Sequence, residues 1–237
     1  PLSIAYRRPT PNDFALTGGL LFLRMGGTMH AMSHPLSQLE SLDDLALLRQ
    51  HVAGDVDAFE VFVRRYQRPL YAFLVRFTAS RSLADDVFQE TCLKVHHAAK
   101  TLHDRGSIKS WLFTIAANTA RDALRSQARR AAVSLDHSLD EGHGRRRSFG
   151  DLLMAKNCSP EELSVNRETR EAVLTQVSAM EPRLREVLAL SYLTELTQAN
   201  IADILDIPLG TVKSRLHQAV KDFAERWRRK TRQNNEL

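Results

Sequence analysis

Cysteine is almost missing: Cys92 and Cys158 are the only two in 237 residues. Two cannot build a disulfide framework or a four-cysteine zinc site, so stability has to come from packed apolar faces, and a reducing, cytoplasmic setting fits. Glycine and proline are scarce as well, at 10 and 8. Between Gly54 and Gly142 only Gly106 and Pro69 interrupt the chain, too little punctuation for a many-stranded β protein or a βαβ fold. Long apolar runs are lacking too. The stretch Ala15–Leu23 spans about nine residues against the roughly 20 that a membrane crossing needs, and Asp13 and nearby prolines disfavour a secretory signal. No membrane insertion is expected.

What remains is helical text with a basic end. Residues 211–237 carry 8 Lys+Arg against 3 Asp+Glu, so the whole net charge of +5 sits at the C-terminus, where a polyanion is the natural partner. Residues 1–40 hold Pro1, Pro9, Pro11 and the pairs Gly18-Gly19 and Gly26-Gly27, and read as a disordered extension or a mis-assigned start, with Met25, Met29 and Met32 as alternative starts. From Asp43 the pattern turns helical. Gly54 stops one helix, and Asp57-Ala-Phe-Glu60 forms a capping box for the next, which carries Phe59, Phe62, Val63, Tyr66 and Leu70. Further helices open near Ser82 and Ser107. Residues 131–159 lose periodicity and have linker composition, and helix resumes at Ser159-Pro-Glu-Glu162. The expectation is all-α: two small helical domains, 41–130 and 160–237, joined by a flexible linker.

Three helical faces carry chemistry. Unrolled at 100° per residue, the helix after Ser82 puts Ala84, Val87, Phe88, Thr91 and Val95 on a core side. Asp85, Asp86, Gln89 and Glu90 lie opposite, with Leu93 in their midst: an apolar centre with a charged rim suits a protein partner, although surface decoration with one stray Leu gives the same pattern. The helix from Trp111 buries Leu112, Phe113, Ala116, Ala120, Ala123 and Leu124 and presents Trp111, Thr114, Asn118, Arg121, Arg125 and Arg129. A ring, an amide and a row of guanidiniums suit a single nucleic-acid strand, because rings stack on bases and Arg neutralises phosphate. Near the C-terminus, Leu196–Leu205, a connection Asp206-Ile-Pro-Leu209 and a helix from Gly210 form a helix-turn-helix with core residues Ile201, Ala202, Leu205, Ile207, Val212 and Leu216. Its second helix offers Thr211, Lys213, Ser214, Arg215, His217, Gln218 and Lys221 to a major groove. His96-His97, His103-Asp104 and the carboxylates near Asp85 do not converge on the unrolled helix, and no phosphate loop or nucleophile elbow occurs. No catalytic residue, metal, cofactor or small-molecule substrate is expected.

In this order the segments resemble the extracytoplasmic-function sigma factors of bacterial RNA polymerase. Ala84–Val95 looks like that family's core-polymerase-binding helix, Trp111–Arg125 like its −10 helix, and Arg183–Leu188 with Gly210–Leu216 like its −35-reading domain. The resemblance implies that Asp85, Asp86, Gln89, Glu90 and Leu93 dock on core polymerase. It further implies that Lys109, with Trp111, Asn118, Arg121 and Arg125, holds the melted −10 strand, and that the recognition helix reads the −35 element. Promoter DNA and core polymerase are then the partners, with an anti-sigma protein left open. Ala117 replaces a frequent basic residue, which implies a weaker or differently specific −10 contact. Met180-Glu-Pro182 replaces a Leu-Pro pair, and Asp206 stands where Gly often turns the chain, a position Asp tolerates. The competing readings are a stand-alone helix-turn-helix regulator, which has no use for the acidic face around Leu93, and a metal-dependent hydrolase.

Overall fold

A computed structural model describes residues 14–17, 20–23, 36–102, 106–134, 169 and 171–235. In chain order these form β1 (Phe14–Thr17), β2 (Leu20–Leu23), α1 (Leu36–Ser41), α2 (Asp44–Val52), α3 (Val56–Thr78), α4 (Arg81–Ala98), a 3-10 turn (Ala99–Thr101) and α5 (Ile108–Ser134). There follow α6 (171–178), α7 (Pro182–Leu193), α8 (Gln198–Leu205) and α9 (Leu209–Asn235). The chain divides into two compact units, Pro1–Arg65 and Tyr66–Leu237.

The first unit contains elements where the sequence leads us to expect none. β1 and β2 pair antiparallel with Phe14 opposite Leu23 and Thr17 opposite Leu20. What reads as one apolar run is therefore two short strands. α2 starts where the Asp43 carboxylate accepts from the Ala46 N–H at 2.7 Å. It stops at Gly54, whose φ of +110° is open to glycine. That exit delivers Asp55 directly as the cap of α3: its Oδ1 accepts from the N–H groups of Asp57 and Ala58. The cap is therefore Asp55 and not Asp57, two residues earlier than the sequence pattern predicts. Arg65 fastens α3 to the α1–α2 junction, donating to Asp44 Oδ1 at 2.6 Å and to the carbonyl of Leu42 at 2.9 Å. Leu39, Leu47, Leu48, Phe59 and Phe62 are buried.

In the second unit α3 contributes Leu70, Tyr71, Phe73, Leu74 and Phe77, all buried. Phe73 meets Phe113 of α5 edge-on at 5.8 Å, and Tyr71 meets Phe88 of α4 at 6.2 Å. The α3–α4 corner is tight. Ala79 sits at φ 58°, and Ser80 caps α4 by accepting from the Leu83 N–H. α4 then packs along α5, with Lys94 Nζ donating to Thr119 Oγ1 at 3.2 Å. Ser107 caps α5 as expected, accepting from Ser110 N–H.

The C-terminal helices form their own core of Val177, Met180, Leu184 and Ala219, flanked by Val173, Leu188 and Phe223. Met180 is thus a core residue. α8 opens on a capping box between Thr197 and Asn200 and closes on Asp206 in the left-handed region, φ 53° and ψ 50°. The helix-turn-helix corner is built as the sequence suggests. Two helical domains result, and α5 of the first lies against α8 of the second. α5 also continues to Ser134, inside the expected linker. The remainder of that linker and the restart at Ser159 lie outside the described residues, as does Cys158.

Candidate protein and nucleic-acid interfaces

On α4 the inner side is closed: Ala84, Val87, Phe88, Thr91, Cys92, Val95 and His96 are all buried. Burial pushes the Cys92 thiol up to about 12, so it stays protonated and unreactive. Outward, Asp86 and Glu90 are exposed, Gln89 and Leu93 are half-buried, and Glu90 carries a loose pair with Lys94 at 3.5 Å. Asp85 differs from its neighbours. Its Oδ1 accepts from the hydroxyl of Tyr71 at 2.8 Å, and Tyr71 is only 6% exposed. Asp85 therefore ties α4 to the α3 core, whereas Asp86, Gln89, Glu90 and Leu93 remain available to a partner.

α5 is more divided than its sequence suggests. Leu112, Phe113, Ala116 and Ala120 are buried as expected, Ala123 and Leu124 only half so. Trp111 is half-buried, and Asn118 and Arg125 are exposed. These three share one stripe, while Lys109 stands about 180° around the helix from Asn118. Arg125 pairs locally with Asp122, whose carboxyl this bond holds below its usual range. Arg121 is engaged at all three nitrogens. Nε donates to Glu186 Oε1 at 2.8 Å, Nη1 to Asn118 Oδ1 at 2.6 Å, and Nη2 to the carbonyl of Ile204 at 3.3 Å. Lys109 Nζ lies 3.4 Å from Glu195. Ala117, one turn before Arg121, is fully buried, so a long basic side chain at that position has no room in this arrangement.

Glu186 was not singled out by sequence. It is 8% exposed, and burial raises its pKa, an effect opposed by the charges of Arg121 and Arg215. The only local signal is the charged pair Arg185-Glu186 inside the otherwise apolar run Leu184–Leu190; the partner of Glu186, 65 residues away, leaves no trace in periodicity.

On α9, Val212 and Ala219 face inward and are fully buried. Lys213, Ser214, His217, Gln218 and Lys221 are exposed, Thr211 is half-buried, and so is Arg215. The basic positions of the tail, Arg226 to Arg232, continue along the same helix. No helix among the described residues is long and apolar enough to cross a membrane, and no three His, Cys, Asp or Glu side chains among them converge as a metal site would require.

A helix with an acidic apolar-centred face, a helix with an aromatic and basic face, and a C-terminal helix-turn-helix define a transcription-initiation subunit of the sigma-70 class. Residues 62–130 match Sigma-70 region 2, and residues 170–223 match Sigma-70, region 4. The chain is 32% identical over 180 residues to the ECF RNA polymerase sigma-E factor of Salmonella typhimurium, covering 76% of this chain and 92% of that one. It is 30% identical, over 76% and 93%, to the Haemophilus influenzae ECF RNA polymerase sigma-E factor. Two solved structures share the fold: CnrH in complex with the cytosolic domain of CnrY (TM-score 0.55, 21% identity, 77% of this chain and 95% of that one), and the sigma factor RpoE in complex with the anti-sigma factor NepR from Bartonella quintana (TM-score 0.55, 20% identity, 73% and 98%). The chain belongs to the extracytoplasmic-function sigma factors, the subunits that direct RNA polymerase to particular promoters. Such subunits confer specificity rather than catalysis, and membership decides against the stand-alone regulator.

Proposed function

We propose a residue-level division of labour for this sigma factor. Asp86, Gln89, Glu90 and Leu93 of α4 contact core polymerase, with Asp85 holding that helix in place through Tyr71. Trp111, Asn118, Arg121 and Arg125 of α5 hold the separated −10 strand, stacking and neutralising it; Lys109, off that stripe, contributes charge from the first turn. On α9, Thr211, Lys213, Ser214, Arg215, His217 and Gln218 meet the −35 duplex at base edges or adjacent phosphates, and Lys221 and the following basic tail bind phosphate. The residues between α5 and α6 act as the connection, and none of these side chains is assigned a catalytic role. An anti-sigma protein is a further partner, by analogy with the complex that NepR forms. Action on promoter DNA places the protein in the cytoplasm.

The observation that carries this reading is the outer arc of α4. Leu93 stays half-exposed among Asp86, Gln89 and Glu90 while the opposite side of the same helix is closed. Apolar centre and polar rim are the anatomy of a protein-binding patch. The test is the double variant Leu93→Ala with Asp86→Arg. Truncation at an interface centre costs about 1 to 4 kcal/mol, so affinity for core polymerase should fall at least about fivefold with helicity intact. Unchanged affinity would show that polymerase docks elsewhere.

A further inference from the structure

We propose that Gly210 sets the depth at which α9 enters the major groove: lacking a side chain, it lets the duplex close on the helix backbone at the head of the recognition face. This rests on the assignment of α9 to the −35 element and adds a residue which that assignment leaves out. Among the described residues glycine occurs three times, and two have a backbone reason, Gly54 at φ +110° and Gly106 at φ +50°. Gly210 has none. Its φ is not positive, so an L-residue can adopt the same conformation. A Cβ built on it meets nothing within 4 Å, so packing inside the chain does not exclude a side chain either. Glycine is also a poorer helix residue than alanine. The requirement for it therefore comes from outside the fold, from a partner that needs close approach to the backbone.

The position on the helix says which partner that is. At 100° per residue, Gly210 heads the stripe i, i+3, i+4, i+7, i+8, i+11 formed with Lys213, Ser214, His217, Gln218 and Lys221, and all six are exposed. Val212 and Ala219, both fully buried, lie about 160° and about 180° around the helix from it, so Gly210 is turned away from the core. Side chains three and four residues on lean toward the space above residue i, yet neither Lys213 nor Ser214 comes within 4 Å of the Cβ position. The recognition face thus starts as bare backbone and continues as hydrogen-bonding side chains. A helix with its side chains is about 10 to 12 Å across and the major groove about 12 Å wide, which leaves little clearance for the N-terminal end that goes in first. A methyl at Gly210 would hold the helix off by about 1.5 Å, the length of one carbon–carbon bond. Hydrogen bonds to base edges span about 2.7 to 3.2 Å, so that shift removes those of the adjoining turn. Phosphate contacts from long, flexible Lys side chains can follow it.

The test uses holoenzyme assembled with the full chain, a promoter duplex that it selects from genomic fragments, and a random duplex of equal length, at two salt concentrations. Gly210→Ala and Gly210→Leu are compared with the parent, and the thermal midpoint of each free chain is recorded. The expected midpoint of Gly210→Ala equals the parent's or lies up to about 3 °C above it. Promoter affinity should fall at least about fivefold, the loss of one base-edge contact, and further in Gly210→Leu. Affinity for the random duplex should stay within about threefold and the salt slope unchanged, since no charge is removed. A midpoint several degrees below the parent's would make the glycine a requirement of the fold and overturn the proposal. Parental promoter affinity in both Gly210 variants, or an equal loss on the random duplex, overturns it too. The double variant Lys213→Ala, Arg215→Ala separates this from the underlying assignment. If it loses promoter affinity while the Gly210 variants keep theirs, only the role of Gly210 falls; if it also binds as the parent does, the assignment of α9 falls with it.

Discussion

Asp85 and Asp86 are adjacent acids on one helix, and the structure puts them in different surroundings, one bonded to Tyr71 and one exposed, a difference that a stability measurement reads. Asp85 Oδ1 accepts from Tyr71 at 2.8 Å, and Tyr71 is 94% removed from solvent, being 6% exposed. A hydrogen bond to a charged group is worth about 1.5 to 3 kcal/mol. Asp85 is half-buried, so water can partly take its place and the lower half of that range applies. Asp85→Ala should therefore lower unfolding free energy by about 1.5 to 2 kcal/mol, and Asp85→Asn, which keeps a neutral acceptor, by about half of that. Asp86 is exposed, and Asp86→Ala should stay within about 0.5 kcal/mol of the parent. Urea denaturation followed by circular dichroism reads all three. Core-polymerase affinity then divides the other way: Asp86→Arg should weaken it in a fully folded protein, while Asp85→Asn should bind as the parent does. An Asp85→Ala protein with parental stability but lost polymerase affinity would refute the reasoning, because it would make Asp85 a contact and not a tether.

Three further outcomes follow from local chemistry. Ala79 is exposed at φ 58°, a conformation costing an L-residue about 1 to 2 kcal/mol that glycine avoids; after glycine's larger unfolded-state entropy, Ala79→Gly should gain about 0.5 to 1 kcal/mol in thermal unfolding. Glu186 has a raised pKa through burial, against the opposing charges of Arg121 and Arg215, so its contribution is present at low pH and lost as pH rises through the raised value. The stability of the parent relative to Glu186→Gln should accordingly increase as pH falls through the raised value toward the ordinary glutamate range. The lowered Asp122 acts in the other direction but is common to both proteins; a difference that shrinks as pH falls would contradict the buried-acid description. On α9, Arg215→Ala should relax selectivity at one or two −35 positions by about 1 to 3 kcal/mol, whereas Lys221→Ala should weaken all sequences evenly and flatten the salt slope. Binding by the holoenzyme to single-base promoter variants at two salt concentrations distinguishes them, and an even loss in Arg215→Ala would make it a phosphate contact.

Features written in short-range chemistry were legible in the sequence. Ser107 as a cap, Gly54 as a stop, the closed side of α4 and the left-handed Asp206 each depend on residues within about two turns of one another. Ile204 shows where that reasoning blurs: it is buried at 2% while the expected core residue Leu205 is only half-buried, because a helix of eight residues leaves its inward direction to neighbours. The cap at Asp55 was missed because Asp57 and Glu60 match the capping-box spacing, and the glycine exit from α2 had already placed an acid two residues earlier. What could not be read was pairing over distance. Nothing in the periodicity of α5 says that Arg121 meets Glu186, and nothing in that of α4 says that Asp85 accepts from Tyr71. Basic side chains on a helix look alike whether their acceptors are phosphates or a carboxylate in the same chain.

Run-off transcription bears most directly on the assignment of these surfaces. Core RNA polymerase is combined with the purified full chain and a library of genomic promoter fragments, alongside a reaction with the Leu93→Ala, Asp86→Arg protein and one with core alone. Discrete transcripts from a restricted set of fragments, present with the parent chain and absent with the variant and with core alone, are the predicted result. Transcripts no different from those of core alone, or equally abundant with the variant, would contradict it.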